Sequence, residues 1–256
     1  MSIKIIIATH KESWMPDDPL YLPLHVGKKN KQSIGYQGDD TGNNISEKNP
    51  YYSELTGMYW AWKNLDTEYI GLAHYRRHFC FKKKKSSYDS VITLVEVKNI
   101  LRKSNVILPK KRKYYIETMF SHYANTHDAN HLILTKEILS IQCPDYVRTF
   151  DLVMGKRSAH MFNMLIMKRD IFAAYCGWLF PILQELEKRI DYSNLPPFEA
   201  RLFGRVSELL LDVWITQNNI SYKELDWVHL GKVNWTKKIK SFLLAKVGKK
   251  KYDGSF

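Results

Sequence analysis

The chain has 256 residues, a formal net charge of +13 at pH 7, and three widely spaced cysteines. This length suits one large domain with a well-buried core, and the cysteine spacing excludes a disulfide framework and a zinc site. The charge favours an anionic partner, which could be a phosphorylated substrate, an anionic membrane face or nucleic acid. The N-terminus lacks the pattern of a signal peptide, and no segment has the roughly 20 apolar residues that span a bilayer. We therefore expect a cytoplasmic protein.

The first third of the chain is predicted to contain two strands and one helix. The β-branched run over residues 3–8 predicts a central strand that is buried on both faces. Residues 12–49 are rich in Pro, Gly, Asp and Asn, which predicts a long functional loop. A helix is predicted over 53–64 because its apolar residues share one face, and a buried strand is predicted over 68–73.

The rest of the chain alternates between predicted helices and strands. Residues 110–128 are basic and aromatic and are typical of a lid, whereas 191–203 is predicted to be a loop. The other predicted elements are helices over 94–103, 129–141, 144–153, 169–190 and 204–218, and strands over 105–109, 161–167 and 220–225. This alternation predicts an α/β protein built on a sheet.

Four polar residues, His74-Tyr75-Arg76-Arg77, directly follow the strand predicted over 68–73. Arginine almost never lies unpaired in a core, and α/β proteins bind ligands at the carboxyl ends of their strands. The planar guanidinium groups of Arg76 and Arg77 suit phosphate oxygens, which they can bind bidentately. The tetrad therefore predicts an anion-binding strand end. The alternative is a structural pair of arginines held by nearby carboxylates and carbonyls.

The run from Ile70 to His78, which contains this tetrad, resembles the signature of a bacterial family catalogued as a domain of unknown function, DUF4422. Its members are regarded as glycosyltransferases of capsule, exopolysaccharide and O-antigen gene clusters. Further similar segments lie, in the same order, at residues 3–11, 38–46, 51–56, 59–63, 163–167 and 205–210. The resemblance implies a GT-A-like, Rossmann-related nucleotide-sugar-binding fold. It predicts a single domain over 1–230 with a helical C-terminal addition over 231–256.

The resemblance also implies an activity, that of a hexosyltransferase. The donor would be a nucleotide sugar, with a UDP-sugar favoured and galactose or galactofuranose as the candidate sugar. The acceptor would be an undecaprenyl-linked saccharide. The alternative is a non-catalytic basic module that binds nucleotides or nucleic acid, although no nucleic-acid-binding motif accompanies the charge, and no nucleic acid is expected. A phosphate-ester hydrolase is a third alternative, for which the sequence offers no clear nucleophile.

The sequence contains no Asp-x-Asp motif, with which many GT-A enzymes bind a divalent metal ion. We expect the positive charge of the tetrad to replace or assist Mg²⁺ or Mn²⁺, because either neutralises diphosphate oxygens. Asp39 and Asp40 lie in a loop rich in oxygen ligands, the type that hard cations use. They could equally form a turn, so metal binding stays open.

The candidate site residues fall into two groups. Catalytic roles are predicted for Glu208, as the base on the acceptor side, and for His74, Arg76 and Arg77. An acidic residue in the first turn of the helix predicted over 204–218 could also merely complement the helix dipole. Donor contacts are predicted for residues at strand ends, in the aspartate loop and in the predicted lid: Thr9, His10, Lys11, Asp39, Asp40, Tyr75, His122 and His127.

The C-terminal segment, residues 231–256, combines lysines with a stripe of aromatic and aliphatic residues. On a helix, Trp235, Ile239, Phe242 and Leu243 share a face from which the lysines are largely absent. This pattern predicts an interfacial helix that attaches the protein peripherally to the anionic inner face of the cell membrane. The alternative is a helix that packs its stripe on the domain and leaves its lysines in water.

Overall fold

The computed structural model describes residues 1–231, except Lys83 and Lys85. The described chain contains the strands β1 (Ile3–Thr9), β2 (Tyr21–His25), β3 (Gln37–Gly38), β4 (Tyr69–His74), β5 (Arg77–Cys80), β6 (Val106–Pro109), β7 (Arg112–Lys113), β8 (Ser158–Ala159), β9 (Leu165–Lys168) and β10 (Lys223–His229). Its α-helices are α1 (Asn49–Tyr52), α2 (Leu55–Asn64), α3 (Leu94–Leu101), α4 (Met119–Thr126), α5 (Asn130–Gln142), α6 (Val147–Met154), α7 (Arg169–Arg189), α8 (Pro197–Ala200) and α9 (Leu202–Gln217). Together these elements form a mixed α/β fold.

Eight of these strands form one sheet, and the remaining two, β7 and β8, pair separately. The strands β3, β2, β1 and β4 are parallel neighbours, so their carboxyl ends meet at one edge. Beyond them the sheet is mixed: β9 runs antiparallel to both β4 and β6, and β10 runs parallel to β6 and antiparallel to β5. A turn of two residues, Tyr75 and Arg76, joins β5 back to β4. The tetrad is therefore the tip of a hairpin.

Both faces of the sheet are covered, as the unbroken apolar run of β1 predicts. Ile6 packs into the larger core, which contains residues of α2, α5, α6, α7 and α9. Its neighbours Ile5 and Ile7 point to the opposite face and pack with residues of α3. All three side chains are fully buried. Alternating directions of successive side chains explain why a central strand needs an apolar residue at every position.

Gly71 explains how β4 fits between β1 and β9. A Cβ atom at this position would lie 2.9 Å from Ile5 and 3.0 Å from Ile166, which are side chains of the two neighbouring strands. Any larger residue would therefore require these neighbours to shift. The glycine within the Ile70–His78 run is thus a packing requirement of the strand that carries the tetrad.

The structure confirms the predicted α/β class and most predicted elements, with three corrections. The loop predicted over 12–49 contains β2, β3 and a 3-10 helix over Ser46–Lys48, because a short strand with a proline at its centre gives little periodic signal. The predicted lid over 110–128 contains β7 and α4. The loop predicted over 191–203 contains α8 and the start of α9.

No helix in the described part of the chain is both long and apolar enough to cross a bilayer. The predicted interfacial helix over 231–256 lies outside the described residues, apart from Gly231. The described chain reaches this segment directly from β10. Here the backbone N–H of Leu230 donates a hydrogen bond to the carbonyl oxygen of Arg76, at 2.8 Å. The C-terminal segment therefore begins beside the tip of the tetrad hairpin.

Candidate functional site

A cleft of about 680 Å³ opens at the carboxyl ends of β1 and β4. This is the edge at which open α/β sheets bind ligands. Its floor is formed by the strand ends and the tetrad hairpin, and its walls come from α4 and from the start of α9. Among its polar lining residues are five arginines, two glutamates and four histidines: Arg76, Arg77, Arg112, Arg201, Arg205, Glu54, Glu208, His10, His74, His122 and His127.

The two tetrad arginines present charge to the cleft from the hairpin. The guanidinium carbon of Arg77 lies 4.5 Å from the ring centre of Phe162, and that of Arg76 lies 5.1 Å from the ring centre of Tyr75. Burial lowers the pKa of Arg77, and the charge of Arg76 lowers it further. Within the described chain, no carboxylate lies within 4 Å of the Arg76 guanidinium, and its buried Nε has no hydrogen-bond partner. Arg76 is thus not half of a structural ion pair among these residues.

Glu208 faces this positive charge. Its pKa is raised to about 7, first by burial and then by the neighbouring charge of Glu54. The backbone N–H of Phe162 and the positive charge of Arg77 oppose this rise. A carboxyl group with a pKa near neutral pH is suited to accept a proton from a substrate. Glu208 lies in the second turn of α9, so it is not placed to complement the dipole at the helix start.

Phe162 and Asn163 form a left-handed turn that connects these groups. Their φ angles are 76° and 53°, values that non-glycine residues rarely adopt. The carbonyl oxygen of Phe162 lies 2.5 Å from Nε2 of His74, while its backbone N–H acts on Glu208 and lowers the pKa of that carboxyl group. Strained backbone of this kind persists where the surroundings fix it and is concentrated at functional sites. One residue therefore positions both a tetrad histidine and the candidate base.

The side chain of Asn163 fixes the second carboxylate of the cleft. Its Nδ2 donates hydrogen bonds to Oε1 of Glu54 at 2.7 Å and to the carbonyl oxygen of Gly204 at 2.9 Å. Its Oδ1 accepts a hydrogen bond from the hydroxyl group of Ser207 at 2.8 Å. Every polar atom of this buried amide group therefore has a partner. The network ties the loop before β9 to α9 and to the residue that precedes α2.

His160 holds the left-handed turn from its other side. Its backbone N–H donates to Asp212 of α9 at 2.9 Å, and its Nδ1 lies 2.5 Å from the same carboxylate. Its Nε2 lies 3.0 Å from Oε1 of Glu224 on β10. The imidazole is fully buried. Two elements therefore fix the chain two residues before Phe162.

The structure brings together eight of the twelve predicted site residues. Those that line the cleft are His10, His74, Tyr75, Arg76, Arg77, His122, His127 and Glu208. Burial lowers the pKa values of His10 and His74, which favours neutral imidazoles at pH 7. Nδ1 of His122 lies 2.7 Å from Glu117.

The other four predicted residues do not line the cleft. Thr9 is buried, and its hydroxyl group donates to the carbonyl oxygen of Lys11 at 2.6 Å. The ammonium group of Lys11 lies 5.3 Å from the Tyr75 ring centre, so it borders the site. The carboxylate of buried Asp39 accepts hydrogen bonds from two backbone N–H groups and from the Ser46 hydroxyl group, which gives it a structural role in the loop. Asp40 lies on the same loop.

No group of three His, Cys, Asp or Glu side chains among the described residues is arranged to hold a metal ion. The oxygens of Asp39 are occupied by the hydrogen bonds of its own loop. The cleft instead concentrates guanidinium groups, which bind phosphate oxygens directly.

Sequence reasoning missed several residues of the site. Arg201 and Arg205 flank the start of α9, and Glu208 follows Arg205 by three positions. This spacing places Arg205 and Glu208 on one face of the helix, which could have been recognised from the sequence. Glu54 follows Ser53, whose φ of 54° no sequence pattern indicates. The role of Asn163 depends on contacts with residues more than 40 positions away, so it becomes visible only in the fold.

A family model described as a domain of unknown function, DUF4422, matches residues 4–219. Among solved structures, the apo structure of the WbbM bifunctional glycosyltransferase is similar to this chain, with a TM-score of 0.83 and 30% sequence identity. The similarity covers 91% of this chain and 46% of that chain, so this chain spans about half of the length of WbbM. No curated protein matches the chain.

Proposed function

The chain belongs to the DUF4422 family, and we propose that it is a hexosyltransferase with a GT-A-like fold. In this proposal it transfers a sugar from a nucleoside diphosphate donor, with UDP as the favoured nucleotide and galactose or galactofuranose as the candidate sugar. The acceptor is a lipid-linked saccharide of the undecaprenyl type, used in making a bacterial surface polysaccharide. The similarity to a bifunctional glycosyltransferase over half of its length supports the transferase class.

One observation carries the proposal: a hairpin with paired arginines opens into a cleft that also contains a glutamate with a pKa near 7. Transfer from a nucleotide sugar needs positive charge for the departing diphosphate and a base for the acceptor hydroxyl. Arg76 and Arg77 supply the first, and Glu208 supplies the second. A non-catalytic nucleotide-binding module would need only the arginines.

In the proposed reaction, these residues stabilise the leaving group and accept the proton of the acceptor hydroxyl. The bond between the anomeric carbon and the diphosphate oxygen breaks, and the electron pair leaves with the diphosphate beside Arg76 and Arg77. A bond forms between the anomeric carbon and the acceptor oxygen, and the hydroxyl proton passes to Glu208. His74 is held by the Phe162 carbonyl oxygen, so it supports the hairpin geometry in this reaction.

We propose that guanidinium groups neutralise the charge of the donor diphosphate, as Mg²⁺ or Mn²⁺ does in many sugar transferases. The lining residues support this, since the charge of Arg112 adds to that of the tetrad pair, and neither Arg76 nor Arg112 has a carboxylate within 4 Å in the described chain. Such groups are fixed in the fold before the donor arrives, which reduces reorganisation during the reaction. No step is assigned to a metal ion.

The test is release of UDP from UDP-galactose, measured on the full chain with and without a lipid-linked acceptor fraction. Arg76→Met should abolish most of the release, whereas Arg148→Met, an exposed change outside the cleft, should leave it intact. Stimulation of release by the acceptor supports transfer. Salt-sensitive binding of oligonucleotides without any release from a panel of nucleotide sugars would instead support the binding module.

A further inference from the structure

A second pair of arginines lines the cleft apart from the tetrad. Arg201 immediately precedes α9, and Arg205 lies near the start of that helix. The guanidinium Nε of Arg201 donates to the hydroxyl group of Ser53 at 2.9 Å. The charge of Arg201 acts on Arg205, and the charges of Arg76 and Arg112 act on Arg77. His10 lies within reach of both Arg201 and Arg76. Glu208 acts on both sets. The candidate base therefore lies within electrostatic reach of both arginine pairs of the cleft.

Arg205 is held in place, yet most of its donors are unused. Its guanidinium carbon lies 4.1 Å from the ring centre of Phe198, and its Nη2 donates to the carbonyl oxygen of the same residue. Its other guanidinium N–H groups have no hydrogen-bond partner among the described residues, and no carboxylate there lies within 4 Å. A planar group stacked on a ring and supplied with free donors is suited to bind a carboxylate or a phosphate.

A purely structural role does not account for this charge. The guanidinium is partly buried, and burial costs a charged group free energy unless a counter-charge or hydrogen bonds offset it. Arg205 has one hydrogen bond, to a backbone carbonyl, while Arg201 beside it adds like charge. Glu208 and Glu199 act on Arg205 without forming an ion pair within 4 Å, and an anionic ligand between the two arginines would add a direct ionic partner.

The spacing on α9 limits where this anion lies on the ligand. Arg205 and Glu208 are three positions apart on one helix, and side chains at this spacing are neighbours on the helix surface. If Glu208 accepts the proton of the reacting hydroxyl, the anion lies about one sugar ring away from that hydroxyl. The anion therefore belongs to the acceptor sugar itself and not to a distant part of the acceptor.

We propose that Arg201 and Arg205 form an acceptor subsite for an anionic sugar, an inference that rests on the proposed function. The favoured anion is a phosphate ester at the anomeric carbon of that sugar. A hexuronate carboxylate can bind the guanidinium groups in the same way and is the second candidate for the anion. The tetrad arginines bind the donor diphosphate on the other side of Glu208. Each substrate thus has its own arginine pair, and the base lies between them.

The experiment is calorimetric titration of the full chain, first with UDP and then, at saturating UDP, with galactose 1-phosphate, glucuronate and methyl galactoside. We expect the phosphate ester to bind at least tenfold more tightly than the neutral methyl glycoside. Tighter binding of glucuronate than of the phosphate ester would support the subsite and identify a carboxylate as its ligand. Equal binding of all three sugars would overturn the proposal.

Variants separate this subsite from the donor site. Arg205→Met keeps an apolar stem against Phe198 but removes the charge, so we expect at least a tenfold loss for the anionic sugar and less than a twofold change for UDP. Arg205→Lys keeps the charge and should recover part of the loss, which a packing role would not predict. Arg76→Met should show the reverse pattern, and Arg148→Met should change neither affinity.

Two outcomes oppose the inference and are distinguishable from failure of the proposed function. If Arg205→Met weakens UDP binding as strongly as Arg76→Met does, all the arginines surround one diphosphate and no acceptor subsite exists. If Arg205→Met lowers the unfolding temperature and Arg205→Lys does not restore binding, the residue is structural. Failure of UDP to bind, or no effect of Arg76→Met on UDP, would instead contradict the donor assignment.

Discussion

Arg76 and Arg77 differ in how they are held, although they are adjacent in sequence. Arg77 begins β5 and lies on the ring of Phe162, whereas Arg76 belongs to the turn and has no carboxylate within 4 Å in the described chain. We predict that alanine at either position weakens donor binding at least tenfold, because each charge-assisted hydrogen bond contributes roughly 1.5–3 kcal/mol. UDP titration with a matched thermal melt checks this. Unchanged affinity in both variants would refute the donor site.

Glu208 is the residue whose titration should control turnover. Its pKa of about 7 implies that the carboxylate form increases as pH rises through neutrality, so a base at this position gives rising activity between pH 6 and pH 8. We predict that Glu208→Gln lowers turnover by about 10²-fold while UDP affinity stays within twofold. Steady-state rates with the natural residue and the variant, measured across this pH range, test the assignment. Full activity in the variant would leave Glu208 without a catalytic role.

The same residue should also influence stability, with a definite sign. Because the folded-state pKa of Glu208 lies above its ordinary value of 4.5, the folded protein binds the proton more tightly than the unfolded chain. The stabilising effect of the proton is complete below pH 4.5 and is lost as pH rises to about 7. Glu208→Gln should therefore raise the free energy of unfolding relative to the wild type more at pH 8 than at pH 5, by about 1–3 kcal/mol. Urea unfolding at the two pH values measures the difference.

At the scale of elements, the turn before β9 positions the site. Phe162 supplies backbone contacts to two site residues, and Asn163 fixes Glu54. Asparagine tolerates left-handed backbone better than most residues, and its side chain here has three partners. Any substitution therefore changes both the backbone energy and the hydrogen-bond network.

Two variants of Asn163 should separate these contributions. Asn163→Ala removes the network and keeps a Cβ atom in left-handed backbone, so we expect a loss of about 2–4 kcal/mol in the free energy of unfolding. Asn163→Gly removes the same network without the backbone strain, and should be about 1 kcal/mol more stable than Asn163→Ala. Equal stability of the two variants would show that the backbone strain at this position is negligible.

The elements differ in how far the sequence predicts them. β1 and the helices have strong apolar patterns that predict them directly, and the composition of the tetrad predicts an anion site. The hairpin of β4 and β5 was not predicted, since a two-residue turn of Tyr75 and Arg76 lacks glycine and asparagine. Asn163 and Arg205 act through partners that only the fold brings near. The predictable part of the site is therefore its charge, and the unpredicted part is its geometry.

At the scale of the whole molecule, the charge of +13 and the C-terminal segment raise the question of membrane attachment. Residues 232–256 contain eight lysines, each of which can contribute about 1 kcal/mol near an anionic surface. We predict that deleting 236–256 abolishes co-sedimentation with anionic liposomes, while neutral liposomes bind neither form. Raising the salt concentration should release the full chain. Unchanged binding after the deletion would contradict membrane attachment through this segment.

The parallel strands of the sheet place the N-terminus and the cleft at opposite ends of the strands. The N-terminal amine pairs with Glu68 at the amino ends of β1 and β4, and the cleft lies at their carboxyl ends, roughly 20 Å away along the strands. By contrast, β10 ends against the backbone of Arg76 at the cleft side. A protein tethered to a sensor chip through its N-terminus therefore presents its cleft to the solution. A protein tethered just after Gly231 instead turns its cleft towards the chip surface. UDP should therefore associate more slowly in this second orientation than in the first.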